Sequence, residues 1–134
     1  MPYEPLEEKR VYQRAEALGD RVWEIVIQWD WFARKTVGGQ LARAADSIGA
    51  NIAEAGGRFH PNDVRNFFSF ARGSLREAKF WLRRAAKRGL MTAGTVANLD
   101  TELEQLAREI NECIRFQKSR SASTPVQPPS NLTT

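Results

Sequence analysis

The sequence predicts an all-α protein, an antiparallel up-down-up-down four-helix bundle with a disordered C-terminal tail. Three observations predict it. Apolar residues recur in alternating steps of three and four along four separate stretches. Each stretch is bounded by residues that start or stop helices. No segment shows period-two alternation of β-branched residues flanked by hairpin turns, so no strands are expected. With 134 residues the chain suits one domain with a sizeable core.

The first stretch covers residues 7–33, with Val11, Ala15, Leu18, Val22, Ile25, Trp29 and Phe32 forming its seam. The second covers 36–57, with Val37, Leu41, Ala44, Ala45, Ile48, Ile52 and Ala55 on one side. Thr36 is its candidate N-cap and Gly56-Gly57 its exit, while Gly38-Gly39 weakens the first turn by roughly 1 kcal/mol per glycine. The third begins at Pro61, whose missing N–H suits the first helical position, and Asp63 meets the positive end of the dipole. Its core face is Val64, Phe67, Ala71, Leu75, Ala78, Leu82 and Ala85, and Gly89 ends it. The fourth begins near Thr92 or Thr95 and runs to Lys118, with Val96, Leu99, Leu103, Leu106, Ile110 and Cys113 as its seam. The bundle therefore spans 1–118. Residues 119–134 have almost nothing to bury and read as the tail. Short loops between the helices give antiparallel neighbours.

Composition bounds the function class. Hydrophobic residues are 42% and charged residues 27% of the chain, the balance of an ordinary globular protein. The single cysteine, Cys113, excludes an intrachain disulfide and fits the cytoplasm. The first ten residues lack the apolar stretch of a signal peptide, and no apolar run is long enough to span a bilayer. One histidine and one cysteine are too few for a zinc site, and the Glu-x-x-His pairs of a di-iron bundle are missing. Ser47 and Ser74 have no histidine base in their motif, and no phosphate-binding glycine loop occurs. His60 reads as a loop residue or N-cap and Cys113 as core. No catalysis, cofactor or metal is expected.

Two features exceed what a core requires. Trp23, Ile27 and Trp31 form a second stripe on the first helix, roughly opposite its seam. Either a wide core or loop covers them, or a second subunit does. Tryptophan favours interfaces, so a homo-oligomer is the expectation. The second feature is charge. Residues 61–91 carry eight Lys/Arg against Asp63 and Glu77, a net +6, which exceeds the +4 of the whole chain. Six of them, Arg65, Arg72, Arg76, Lys79, Arg83 and Lys87, share about 80° of helix circumference. That arc makes a cationic rail roughly 40 Å long. Like charges at i,i+3 and i,i+4 repel and cost helix stability, so a counter-charge is expected. Three sources are open: the acidic fourth helix in the same or a neighbouring subunit, a nucleic acid, or an anionic membrane surface. The preferred expectation is RNA or DNA bound through its backbone, since no base-reading motif is present. The rival is a protein-interaction scaffold whose rail is paired by neighbouring subunits.

A polar stripe also borders the core. Gln40, Arg43, Ser47, Asn51, Glu54 and Arg58 share one arc of the second helix, and Ser74 and Glu77 flank the core face of the third. Buried polar groups need partners, so these eight are expected to form a network locking the two helices in register, with a ligand site as the minor alternative.

The same residues carry a family pattern. QLARAADSIGANIAEAGGR followed by FFSFARGSLRE resembles the bacterial four-helix-bundle proteins of the 23S rRNA intervening-sequence family. The matching positions are Gln40, Arg43, Ala44, Ser47, Ile48, Asn51, Ile52, Ala53, Glu54, Gly56 and Arg58, then Phe67, Ala71, Gly73, Ser74, Leu75 and Glu77. The resemblance implies a compact antiparallel bundle assembling as a homo-oligomer, typically a ring-like pentamer. A related accessory protein of diversity-generating retroelements is a basic pentamer that binds nucleic acid and a reverse transcriptase. The chain departs from the pattern at Ala42, Gly49 and Ala55, where arginine, proline and glycine are common. Losing that arginine weakens any role for the second helix in gripping a polyanion.

Overall fold

The computed structural model describes residues 6–123 and is all-helical across them, with no strand. Helix α1 spans Leu6–Val26, a short α2 spans Trp31–Ala33, α3 spans Gly39–Gly56, α4 spans Pro61–Lys87 and α5 spans Ala93–Ser123. A π-helical segment, Arg34–Gly38, joins α2 to α3 without leaving right-handed helical backbone. Residues 31–56 are therefore one continuous helical run, and the molecule is a four-helix bundle. Around its perimeter α1 neighbours α3, α3 neighbours α4, α4 neighbours α5, and α5 closes back on α1. The up-down-up-down order expected from the short connections is the one observed.

The core follows the heptad-like seams. Val11, Ala15, Leu18 and Val22 of α1 meet Leu41, Ala45, Ile48 and Ile52 of α3 in one cluster. Phe68, Leu75 and Leu82 of α4 and Leu99, Leu106 and Ile110 of α5 complete it. Burying each large aliphatic or aromatic side chain contributes about 1.5–3 kcal/mol.

The first helix is shorter than its periodicity predicts. It stops at Val26, where Gln28 N–H bonds Ile25 O at 3.3 Å and Trp29 N–H bonds Val26 O at 3.0 Å, tightening the last turn. Asp30 then opens a new helix by accepting the Ala33 N–H at 3.1 Å. An aspartate three residues before the receiving N–H is a standard cap, and it competes successfully with continuation of α1. The break corrects three expectations. Val26 is buried while Ile25 and Trp29 are only half-buried, and Phe32 stands 69% exposed. Thr36 is no N-cap: already inside a helix, it donates its hydroxyl to Phe32 O at 2.7 Å.

The other boundaries follow capping chemistry. His60 Nδ1 accepts the Asn62 N–H at 3.2 Å ahead of Pro61. Gly89, with φ of 73°, ends α4 as Leu90 N–H reaches Ala85 O at 3.0 Å. Thr92 accepts the Thr95 N–H at 3.2 Å and starts α5. That helix runs through Ser123, five residues into the expected tail, and the rest of the tail, 124–134, lies outside the described residues. On α4 the core aromatic is Phe68, 1% exposed, while Phe67 is half-buried beside it. Among the described residues, no helix is long and apolar enough to cross a membrane.

Candidate nucleic-acid interface

The cationic rail on α4 is divided by its neighbour. Arg72 donates from Nη1 to Asn111 Oδ1 at 2.9 Å, and Lys79 pairs with Glu104, so these two lean onto α5. Lys79 hydrogen-bonds the Glu104 carboxyl, and this bond, then the lysine charge, holds that carboxyl below its ordinary range. Burial opposes the shift weakly and Arg108 adds to it. Arg76, Arg83 and Lys87 are exposed and Arg65 half-buried; none of the four has an ion-pair partner among the described residues.

The acidic helix does not neutralise the rail. Its other two inward-turned glutamates face the opposite way: Glu109 pairs with Arg14 at 2.8 Å and Glu102 pairs with Arg21, both on α1. These pairs stitch α5 to α1 and leave Glu104, among the described residues, as the one ion-paired α5 carboxylate on the α4 side. Composition alone concealed this, because the direction each glutamate faces depends on bundle order.

The eight polar residues beside the core divide into smaller groups. Ser74 donates to Ser47 Oγ at 2.9 Å, and Asn51 Nδ2 donates to Ser47 O at 3.0 Å with Ser74 Oγ 3.5 Å away. This triad ties α3 to α4. Gln40 accepts from Arg43 at 2.7 Å within α3, and Glu54 pairs at 3.1 Å with Arg58 in the loop that follows it. Arg58 also lies 4.6 Å from the ring centroid of Phe67, a second α3–α4 link. Glu77 is exposed and has no partner among the described residues, so the network expected of eight residues is a triad and two local pairs. Its phase explains this: Glu77 lies beyond Ser74 on the outer side of α4, away from α3.

Trp23, Ile27 and Trp31 are all exposed, Trp31 with Lys35 Nζ 4.6 Å from its ring. They do not form one straight helical stripe, since the break at Val26 separates them. The sequence reading missed further exposed aromatics: Phe59, and on α4 Phe70 and Phe80. Phe70 meets Phe67 edge-on at 5.4 Å, and Phe80 meets Trp81 at 4.9 Å. Phe70 and Phe80, ten residues apart on one helix and outside its 3-4 core seam, were the available signal.

In the groove between α1 and α3, Asp46 lies over Gly19, where an added Cβ would come within 2.5 Å of its Oδ1. Burial, then the charge of Asp20, pushes the Asp46 carboxyl above its ordinary range. A raised acid pKa means the folded state binds the proton more tightly than the unfolded state. The fold is thus penalised above the folded pKa and relieved of that penalty as pH falls below the unfolded one. Asp46→Asn is expected to raise the melting temperature by about 1–2 °C at pH 7, a small effect because the group is mostly solvated. The gain should vanish near pH 3, as melting curves at the two pH values would reveal.

Among the described residues no group of His, Cys, Asp and Glu is placed to hold a metal ion. Ser47 and Ser74 bond each other and Asn51, His60 caps α4, and Cys113 is buried.

Comparison with known proteins agrees with this architecture. No curated protein matches the chain. Among solved structures, a protein of unknown function from the S23 ribosomal protein family of Bacteroides thetaiotaomicron superposes with a TM-score of 0.74. It shares 18% identity over 82% of this chain and 99% of its own length, a likeness of fold. Neither this neighbour nor the matching family carries an enzymatic designation. The family model described as 23S rRNA-intervening sequence protein matches residues 7–112, from the first turn of α1 to the last third of α5. The chain belongs to the 23S rRNA-intervening sequence protein family.

Proposed function

We propose that this chain is a non-enzymatic, self-assembling helical bundle that binds RNA or DNA through the basic edge of α4. One observation carries the reading: Arg65, Arg76, Arg83 and Lys87 line that edge with no carboxylate paired to them among the described residues. Like charges at this spacing destabilise a free helix, and a polyanion reverses the sign of that effect. The exposed Trp23, Ile27 and Trp31 supply an apolar surface for a second copy, and the family resemblance favours a pentamer in the bacterial cytoplasm. A copy encoded beside a retroelement would take the reverse transcriptase as a further partner.

The binding reading predicts steep salt dependence. Four phosphate contacts give a log–log slope near −3 to −4, since each adds about −0.9 on a duplex. Double reversal, Arg76→Glu with Arg83→Glu, is expected to lower affinity more than tenfold at about 50 mM salt while the circular dichroism stays helical. Filter binding measures both. The Lys79–Glu104 pair favours a second reading, a scaffold in which neighbouring subunits neutralise the rest of the rail. If sedimentation shows the reversed variant falling to monomers while nucleic-acid retention is unchanged, the scaffold replaces the binding reading.

A further inference from the structure

The contacts between α4 and α5 extend the interface to residues outside the rail. Lys79 meets Glu104 and Arg72 meets Asn111, which fixes both the antiparallel register and the side of α5 that faces α4. Arg108 follows Glu104 by one turn, Arg115 follows Asn111 by one turn, and Lys118 follows Asn111 by two. Residues four and seven apart share a helical face, so these three cations lie along the same edge, and all three are exposed. The register sets Lys118 across from Arg65 and Arg108 close to Arg76. The half of the α4–α5 face from Arg65 to Arg76 thus carries a cationic row on each helix. At the other half, Asp100 lines the same groove as Arg83, and the second row is absent.

We infer, on the basis of the nucleic-acid reading above, that the α4–α5 face binds a double helix, with Arg108, Arg115 and Lys118 forming a second row of phosphate contacts. Two packed helices hold their axes about 8–10 Å apart. That spacing lies between the minor- and major-groove widths of a B-form duplex, about 6 and 12 Å. Long arginine and lysine arms adjust it, so each row can follow one of the two phosphate strands bordering a groove. A single strand offers one line of phosphates, and proteins that bind it add aromatic platforms on which bases stack. This face has none. Phe67 sits toward α3, where Arg58 covers it, and Phe80 packs on Trp81. Phe116 follows Glu109 by two turns and so shares the edge of α5 that meets α1. Two acidic residues neighbour the new row: Glu104, four residues before Arg108 and paired with Lys79, and Glu112, four residues from Arg108 and three from Arg115.

The test compares a 20-base-pair RNA duplex, a DNA duplex and the corresponding single strands by fluorescence anisotropy at equal salt. The proteins are the wild type, R76Q/R83Q and the triple variant R108Q/R115Q/K118Q, all with exposed substitutions and checked by thermal melts. Wild type is expected to prefer one or both duplexes over single strands by about tenfold or more. The triple variant is expected to lose about tenfold on the duplex, with its salt slope reduced by about 2–3. Equal or tighter binding of single strands overturns the duplex assignment. Duplex binding by the triple variant with wild-type affinity and slope, while R76Q/R83Q is weakened, overturns the second row and leaves the α4 reading standing. Failure of wild type to bind any of the four probes at about 50 mM salt overturns both.

Discussion

Truncation of Phe68 to alanine is expected to cost about 3–5 kcal/mol, the range for emptying a large aromatic site in a core. Phe68 is 1% exposed and is the largest of the fully buried side chains. It sits one turn before Ala71 and two before Leu75, among the residues α4 turns toward α3 and α5. Alanine neighbours such as Ala44, Ala45 and Ala71 have no side-chain length with which to collapse into the space left behind. A loss of that size is a third or more of the stability of a typical domain. Phe67→Ala is the control. That ring is half-buried, packed by Phe70 and covered by Arg58, and its loss is expected to cost about 1–2 kcal/mol. Urea denaturation of the two variants should separate clearly, and equal midpoints would show that the facing of α4 is wrong.

Gly38→Ala is expected to destabilise by about 1–3 kcal/mol, although alanine is the better helix former. An added Cβ would lie 2.6 Å from Val26 Cγ1, 3.1 Å from Ala33 O and 3.3 Å from Trp29 Cε3. Val26 is β-branched and buried, so it has no alternative rotamer to move into without leaving the core. Gly73 reverses the expectation. It is mid-helix and exposed, with nothing within 4 Å of an added Cβ, so Gly73→Ala should stabilise the monomer by about 1 kcal/mol. Thermal melts of both at low protein concentration check the pair. A neutral Gly38 variant would mean that the corner at 31–38 repacks freely.

Most of the bundle was legible because its seams are strictly periodic and its caps are local. Leu41 to Ala55 and Leu99 to Cys113 fall inside as their spacing dictates, and Pro61, Gly89 and Thr92 mark boundaries by chemistry that acts within a few residues. The failures occurred where two local signals compete or where partners come from another helix. Asp30 is a good cap embedded in a sequence whose apolar spacing favours continuation, and the cap wins. Adjacent phenylalanines at 67 and 68 both sit near the seam, and only the packing of α5 decides which enters. The candidate site was harder still. The cationic arc was visible as spacing, but which of its members bond α5, and which glutamates turn to α1, depends on neighbours that the primary structure does not order. The second row on α5 was hidden for the same reason: three cations in an acidic helix gain meaning only once Lys79 and Arg72 establish which side they share.

The wide turn at Arg34–Gly38 holds one residue more than an ordinary helical path of the same rise. Losing a residue there would tighten the coil and turn the short α2 by roughly 100° about the helix axis relative to α3. Trp31 and Phe32 would then point to a different compass bearing while Leu41 through Ala55 stayed seated. Chain length at this corner is in effect a dial for the angle at which an apolar contact is presented. Subunit geometry could diverge between relatives by a single insertion or deletion while the seam from Leu41 to Ala55 keeps its register.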